Sequence, residues 1–271
     1  MHARRLVAVL LAFAAVLGLT AGTATAKVSS KVLYTSTAPG VGNIPSLGVE
    51  AYSFNQIGDE VILKRVAKIN SVAVQLSDWA CQSGSWHTND CLTTPGATFT
   101  TPITLNIYKA SSTNSITGET TPGGLLLTKT KTFTIPFRPS ASSHCTGAEA
   151  GEWFKNGQGC FNGLAHTITF TLSGLKTKLP KDVVWGVSYN SDNSGPTPLG
   201  GSNAPEDSLN VGLAPKVRVG HQRFPGGIFW DTRIGSTPNT CGSPFVAGDF
   251  NLDNTDACWA GYVPAAQFNA S

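Results

Sequence analysis

The chain has 271 residues, with 29 glycines, 16 prolines, six cysteines and a charged fraction of only 13%. That fraction is about half the usual ~25%, and the 19 basic and 16 acidic residues form no basic cluster or stripe, which argues against an electrostatic nucleic-acid surface. Serine, threonine and asparagine take the place of charge, a composition that suits recognition of neutral ligands such as sugars.

The chain begins with Arg4 and Arg5, an apolar run from Leu6 to Leu19, and small residues ending in Ala24-Thr25-Ala26. A basic start, a short apolar core and an A-x-A close predict a secretory signal peptide over residues 1–26. The run is too short to span a bilayer. Residues 27–271 are then read as one secreted domain without a stable membrane anchor. Removing Arg4 and Arg5 leaves 17 basic against 16 acidic residues.

Beyond residue 26, apolar residues recur mainly at every second position. Strands are expected at 32–37, 49–54 and 60–64, then at 72–76, where Val72, Val74 and Leu76 alternate with Ala73 and Gln75. Ile103, Leu105 and Ile107, then Phe133, Ile135 and Phe137, then Ile168, Phe170 and Leu172 repeat the pattern, with threonine prominent on the opposite faces. Val183, Trp185, Val187 and Tyr189 make a further large-residue face, and shorter candidates lie at 209–213, 217–219, 228–231 and 257–262. Each run presents one face to a core and one to water. Segments 111–124, 140–163 and 190–205 read as loops. Many short strands punctuated by Gly, Pro, Asn and Ser predict an all-β protein, an antiparallel β-sandwich of jelly-roll type with disulfide-closed loops.

The cysteines fall into three local couples, Cys81 and Cys91, Cys145 and Cys160, Cys241 and Cys258. Behind an export signal this predicts disulfides. Sequential pairing, one of 15 possible connectivities, is the expected one. Metal binding fails on pattern, because no C-x-x-C or Cys/His zinc spacing occurs. A tryptophan sits in or beside each couple. Trp79 and Trp259 adjoin a strand or a bridge and read as packing residues. Trp86 and Trp153, inside their loops, are the candidate ligand-binding residues, as stacking surfaces for sugar rings.

The tract Asp249-Phe250-Asn251-Leu252-Asp253-Asn254-Thr255-Asp256 is the one acidic cluster. On a turning loop, the oxygens of Asp249, Asn251, Asp253 and Asp256 suit a hard cation, so structural calcium is the one metal expected. Asn254 and Ala260 stand where a calcium-binding helix–loop–helix needs Gly and Glu, which rules that motif out. Catalytic residues are not apparent. His87, His144, His166 and His221 form no zinc motif, no G-x-S-x-G elbow occurs, and the carboxylate pairs Glu149/Glu152 and Glu206/Asp207 read as solvated loop charges.

Several stretches together, 58–63, 71–81, 102–108, 183–190 and 207–213, carry a resemblance. They include Ser71-Val72-x-Val74-x-Leu76-Ser77-x-Trp79-Ala80-Cys81 and Val183-Val184-Trp185-Gly186-Val187-x-Tyr189-Asn190. The set resembles exported bacterial β-sandwich proteins of unknown function, found in actinobacteria and among PEP-CTERM-type sorted proteins. The resemblance implies a secreted jelly-roll-like domain and carries over no functional residue. The expected function is a non-catalytic binding or interaction module of the extracellular space or cell envelope, with a neutral glycan or cell-wall polymer as partner and no nucleic acid. The alternatives are a secreted polysaccharide hydrolase with unidentified catalytic carboxylates and a structural matrix component.

Overall fold

Alternating residues that bury one face and wet the other dictate strands, and strands are what form. The computed structural model describes residues 31–39, 42–110, 112–113, 120–172, 178–201, 203–223, 228–232, 250–253 and 261–270. In chain order the strands are β1 (Lys31–Thr35), β2 (Ser46–Gly48), β3 (Gln56–Ile62), β4 (Ile69–Asp78), β5 (Thr98–Lys109), β6 (Ser112–Thr113), β7 (Thr120–Thr121), β8 (Leu125–Pro136) and β9 (Trp153–Lys155). They continue with β10 (Gly159–Phe161), β11 (Leu164–Thr171), β12 (Asp182–Ser188), β13 (Leu209–Ala214), β14 (His221–Gln222), β15 (Ile228–Asp231), β16 (Phe250–Asp253), β17 (Val263–Pro264) and β18 (Ala266–Ala270). Among the described residues the only helices are two 3-10 turns, Gly147–Glu149 and Pro205–Ser208.

All pairings between these strands are antiparallel, in two large sheets and one small hairpin. One large sheet runs β6-β7-β16-β15-β3-β12-β5-β8. The other is organised around β4, which is forked. Its second edge pairs with β11 from Ser71↔Thr171 to Asp78↔Leu164. Its first edge pairs with β18 over the first half, as in Val72↔Phe268, and with β13 over the second, as in Asp78↔Leu209. The two sheets close over one core. Val72, Val74, Leu76, Phe170 and Phe268 enter it from the forked sheet, and Ile57, Val61, Leu105, Trp185 and Ile135 from the other. Phe133 meets Phe170 edge-on at 4.9 Å and Trp185 meets Phe268 at 6.5 Å, each pair spanning the two sheets. Burying each such ring contributes roughly 1.5–3 kcal/mol. The fold is thus the all-β antiparallel sandwich expected from the alternation.

Several local expectations differ from the structure. Residues 49–53 form a turn, with Phe54 N–H donating to Val49 O at 3.0 Å and Ser53 at a φ of 55°. Three buried apolar residues there, Val49, Phe54 and the preceding Leu47, imitate a strand although the chain reverses between them. The stretch 140–163 holds the β9–β10 hairpin. Of 217–219 only Val219 pairs, in a single bridge to Thr35. The tail contributes a strand that neighbours β4, because Ala266, Phe268 and Ala270 alternate with Gln267 and Asn269 and their buried face joins the core. Tyr262 precedes it in non-strand chain, and residues 257–260 lie outside the described residues.

Candidate functional site

Cys81 pairs with Cys91 and Cys145 with Cys160, as sequential pairing predicts. Cys241 and Cys258 lie outside the described residues, as does the segment 1–26. Among the described residues no helix is long and apolar enough to cross a membrane.

The fork in β4 makes the site. Where β13 separates from β18, the far end of β4 runs into Trp79 and the Cys81–Cys91 loop. The 3-10 turn Pro205–Ser208 leads into β13 beside it, and β2 pairs with β13 through Gly48↔Asn210. Between these elements lies a groove of about 510 Å³, lined by Asn43, Ile44, Tyr52, Trp79, Trp86, Phe161, Asp207, Ser208 and Asn210 among others. An adjoining cavity of about 690 Å³ shares Ala51, Trp86, Asp207 and Ser208 with it and adds Glu50, Ser85 and His87. Trp86 therefore borders both spaces.

Each ring in the groove is fixed by its own neighbours. Trp79 donates its indole N–H to Ser77 Oγ at 2.9 Å, and Ser77 donates to Asn43 Oδ1 at 2.6 Å. A Cβ on residue 163 would lie 2.4 Å from the Trp79 indole nitrogen, so glycine is what admits the ring. Trp86 stands edge-on to Trp79, with centroids 4.8 Å apart and planes at 79°, and donates to Ser208 Oγ at 3.3 Å. His87 stacks on Trp86 at 3.6 Å. The loop that presents Trp86 has too few apolar residues to hold itself by burial. Besides the disulfide, Asp90 holds it, accepting from Ser85 N–H at 2.8 Å and from Thr88 Oγ1 at 2.6 Å. These bonds, Thr88 first, draw the exposed Asp90 carboxyl below its ordinary pKa. Gly84, at a φ of +72°, takes the turn that a side chain would block against Asp90 O.

Asp207 is the acidic group in the groove. Burial raises its pKa to about 7, and the neighbouring Asp192 and Glu50 carboxylates add to the rise, although Asp207 Oδ1 accepts a 2.7 Å bond from Asp192 N–H. Glu50 is itself occupied: it accepts from Ser191 Oγ, from Asn193 N–H and from the Asn193 amide, and so ties down the loop 190–195.

The two candidate ligand-binding tryptophans part company. Trp86 lines the groove, half-buried. Trp153 is only 5% exposed, and its indole N–H donates to Gly163 O at 2.7 Å. It packs against Phe161 and borders a separate cavity, so it lies outside the groove. Tyr52, Phe161, Asn43 and Asn210 were not legible as site residues, because they come from four separate segments. Of the calcium candidates, Asp249 and Asp256 lie outside the described residues. Asn251 and Asp253 belong to β16, a strand paired with β15 and not the turning loop expected, as the alternation of Phe250 and Leu252 favours. Among the described residues no three His, Cys, Asp or Glu side chains are placed to hold a metal ion. Glu149 and Glu152 stand near the second disulfide, away from the groove. Burial first, then Glu149, raises the Glu152 pKa. Comparison with known proteins finds no match to any family model, curated protein or solved structure.

Proposed function

We propose that this protein is a secreted, non-catalytic binding module of the extracellular space or cell envelope whose groove takes a single neutral glycan chain. One observation carries the reading: Trp79, Trp86, Tyr52 and Phe161 line the groove together with the amides of Asn43 and Asn210, and no Lys or Arg is among the lining residues. Aromatic faces accept the C–H faces of sugar rings, and amides meet hydroxyl groups as both donor and acceptor. An anionic polymer would call for basic groups. The angle between the indoles narrows the ligand further. A flat, insoluble polysaccharide surface calls for rings in one plane, and Trp79 and Trp86, in edge-to-face contact at 79°, present no such plane. Export rests on the basic, apolar and A-x-A pattern of residues 1–26, and the two disulfides fit an oxidising compartment.

Affinity electrophoresis of the mature protein through gels containing soluble glucans, mannans, xylans and galactans tests this. At least one polymer should retard the protein, and Trp86→Ala should migrate freely through it. Failure of every neutral polymer to retard the protein would remove the reading.

A second reading is favoured by Asp207. A carboxyl with a pKa of about 7 facing a sugar-sized groove is the form of a glycosidase general acid. It predicts release of reducing sugar from the retarding polymer, abolished in Asp207→Asn. The binding reading predicts no release.

A further inference from the structure

A further cavity, on the outer face of the other sheet, is built differently. In β3, β5, β12 and β15 the core takes Ile57, Ile107, Val187 and Trp230, so their strand neighbours Gln56, Tyr108, Ser188 and Asp231 point away from it. With Asn55, Asn106 and Pro196 these residues line a cavity of about 500 Å³, within the range of small-molecule sites.

Most of its polar groups are set in place. Gln56 Nε2 donates to Tyr108 Oη at 2.9 Å, and Gln56 Oε1 accepts from Asn106 Nδ2 at 2.9 Å. Pro196 is brought over the cavity by a pinned loop. Gly195 N–H donates to Phe54 O at 3.1 Å, and Thr197 N–H to Asn190 Oδ1 at 2.8 Å. Asn55 is the exception. It is 4% exposed, its backbone N–H donates to Asp231 O at 2.7 Å, yet neither Oδ1 nor Nδ2 of its side chain has a partner in the protein. A buried amide with both ends unpaired is a cost to folding that an apolar residue of the same shape would avoid. Such a group is explained when it serves a ligand.

We propose that this cavity binds one small, neutral polyhydroxyl unit, and that the Asn55 amide, closed off from the cavity in the free protein, turns into it to donate to one hydroxyl and accept from its neighbour. The lining chemistry selects that class. The lining contains no Lys, Arg or His for an anion, and the Pro196 and Tyr108 rings are the main apolar surfaces. An amide and a pair of adjacent hydroxyls each offer a donor and an acceptor, so the two satisfy one another in both directions. The site is independent of the aromatic groove and uses none of its lining residues.

Isothermal titration of the mature protein with a panel of free monosaccharides, their methyl glycosides and linear polyols tests the proposal. At least one should bind saturably. Binding of the free sugar alone marks a free ligand, while binding of the methyl glycoside as well marks a chain end. Asn55→Leu should weaken that binding roughly tenfold or more, the loss of two hydrogen bonds, and should also raise Tm. Asn106→Ala, which removes the amide that donates to Gln56 Oε1, should weaken it with the fold intact, and Trp86→Ala should leave it unchanged. Two results overturn the proposal: no panel member saturating the protein, or Asn55→Leu lowering Tm while binding is unaffected. Neither result touches the groove, whose own variant is Trp86→Ala.

Discussion

The two described disulfide loops use one device for opposite ends. The Cys81–Cys91 bridge closes a polar loop whose tryptophan is held out, its indole reaching across to Ser208 and forming a groove wall. The Cys145–Cys160 bridge closes a loop whose tryptophan is drawn in, its indole N–H spent on Gly163 O and its ring on Phe161. Covalent closure therefore says that a loop has one shape, not what that shape is for. The fate of the indole N–H says more. A donor bonded to buried backbone belongs to the fold, while one bonded to a half-buried hydroxyl at a cavity edge sets its ring in the cavity wall.

The contrast is open to direct attack. Trp153→Ala should produce the largest effect, a loss of about 3–5 kcal/mol in denaturant unfolding, with glycan retardation unchanged in whatever protein remains folded. Replacing Cys81 and Cys91 together by alanine should cost about 2–4 kcal/mol and weaken retardation as well, because Trp86 loses its support. The same exchange at Cys145 and Cys160 should cost a similar amount and leave retardation intact. If the two pairs prove equivalent in binding, the division between the loops is wrong. Trp86→Ala should change stability by less than ~1 kcal/mol but weaken glycan binding by roughly tenfold or more.

The smallest effect concerns pH. Asp207 is folded with a pKa raised to about 7, against an ordinary 3.8. Between those values the folded chain holds a proton that the unfolded chain releases. The group's contribution to stability is thus complete below about 3.8 and is lost as pH rises through about 7. Thermal unfolding across that window should show a shallow decline in Tm from this site that Asp207→Asn flattens. An identical slope in the variant would show that Asp207 is not the group responsible.

The sandwich was legible because period-two alternation is a local signal and the core obeys it: Val72, Val74 and Leu76 are all buried. The pairing of Cys81 with Cys91 and of Cys145 with Cys160 was legible because short loops close easily. The fork of β4 was not, since it depends on β13 and β18 meeting one strand from distant parts of the chain. For that reason the groove was visible only through Trp86. Tyr52, Phe161, Asn43 and Asn210 converge through the fork and carry no short-range mark. The burial of Trp153 was not legible, because the carbonyl that takes its indole N–H lies ten residues away. Asn55 was invisible because an unpaired amide is a property of its surroundings and not of its residue type.

The central claim is that the ring of Trp86 is a ligand surface. Isothermal titration of the wild type and of Trp86→Ala with the soluble neutral glycan that most retards the protein measures it most directly. The account predicts saturable binding by the wild type and an affinity at least roughly tenfold lower in a variant with unchanged Tm. Equal affinities in the two proteins would contradict it.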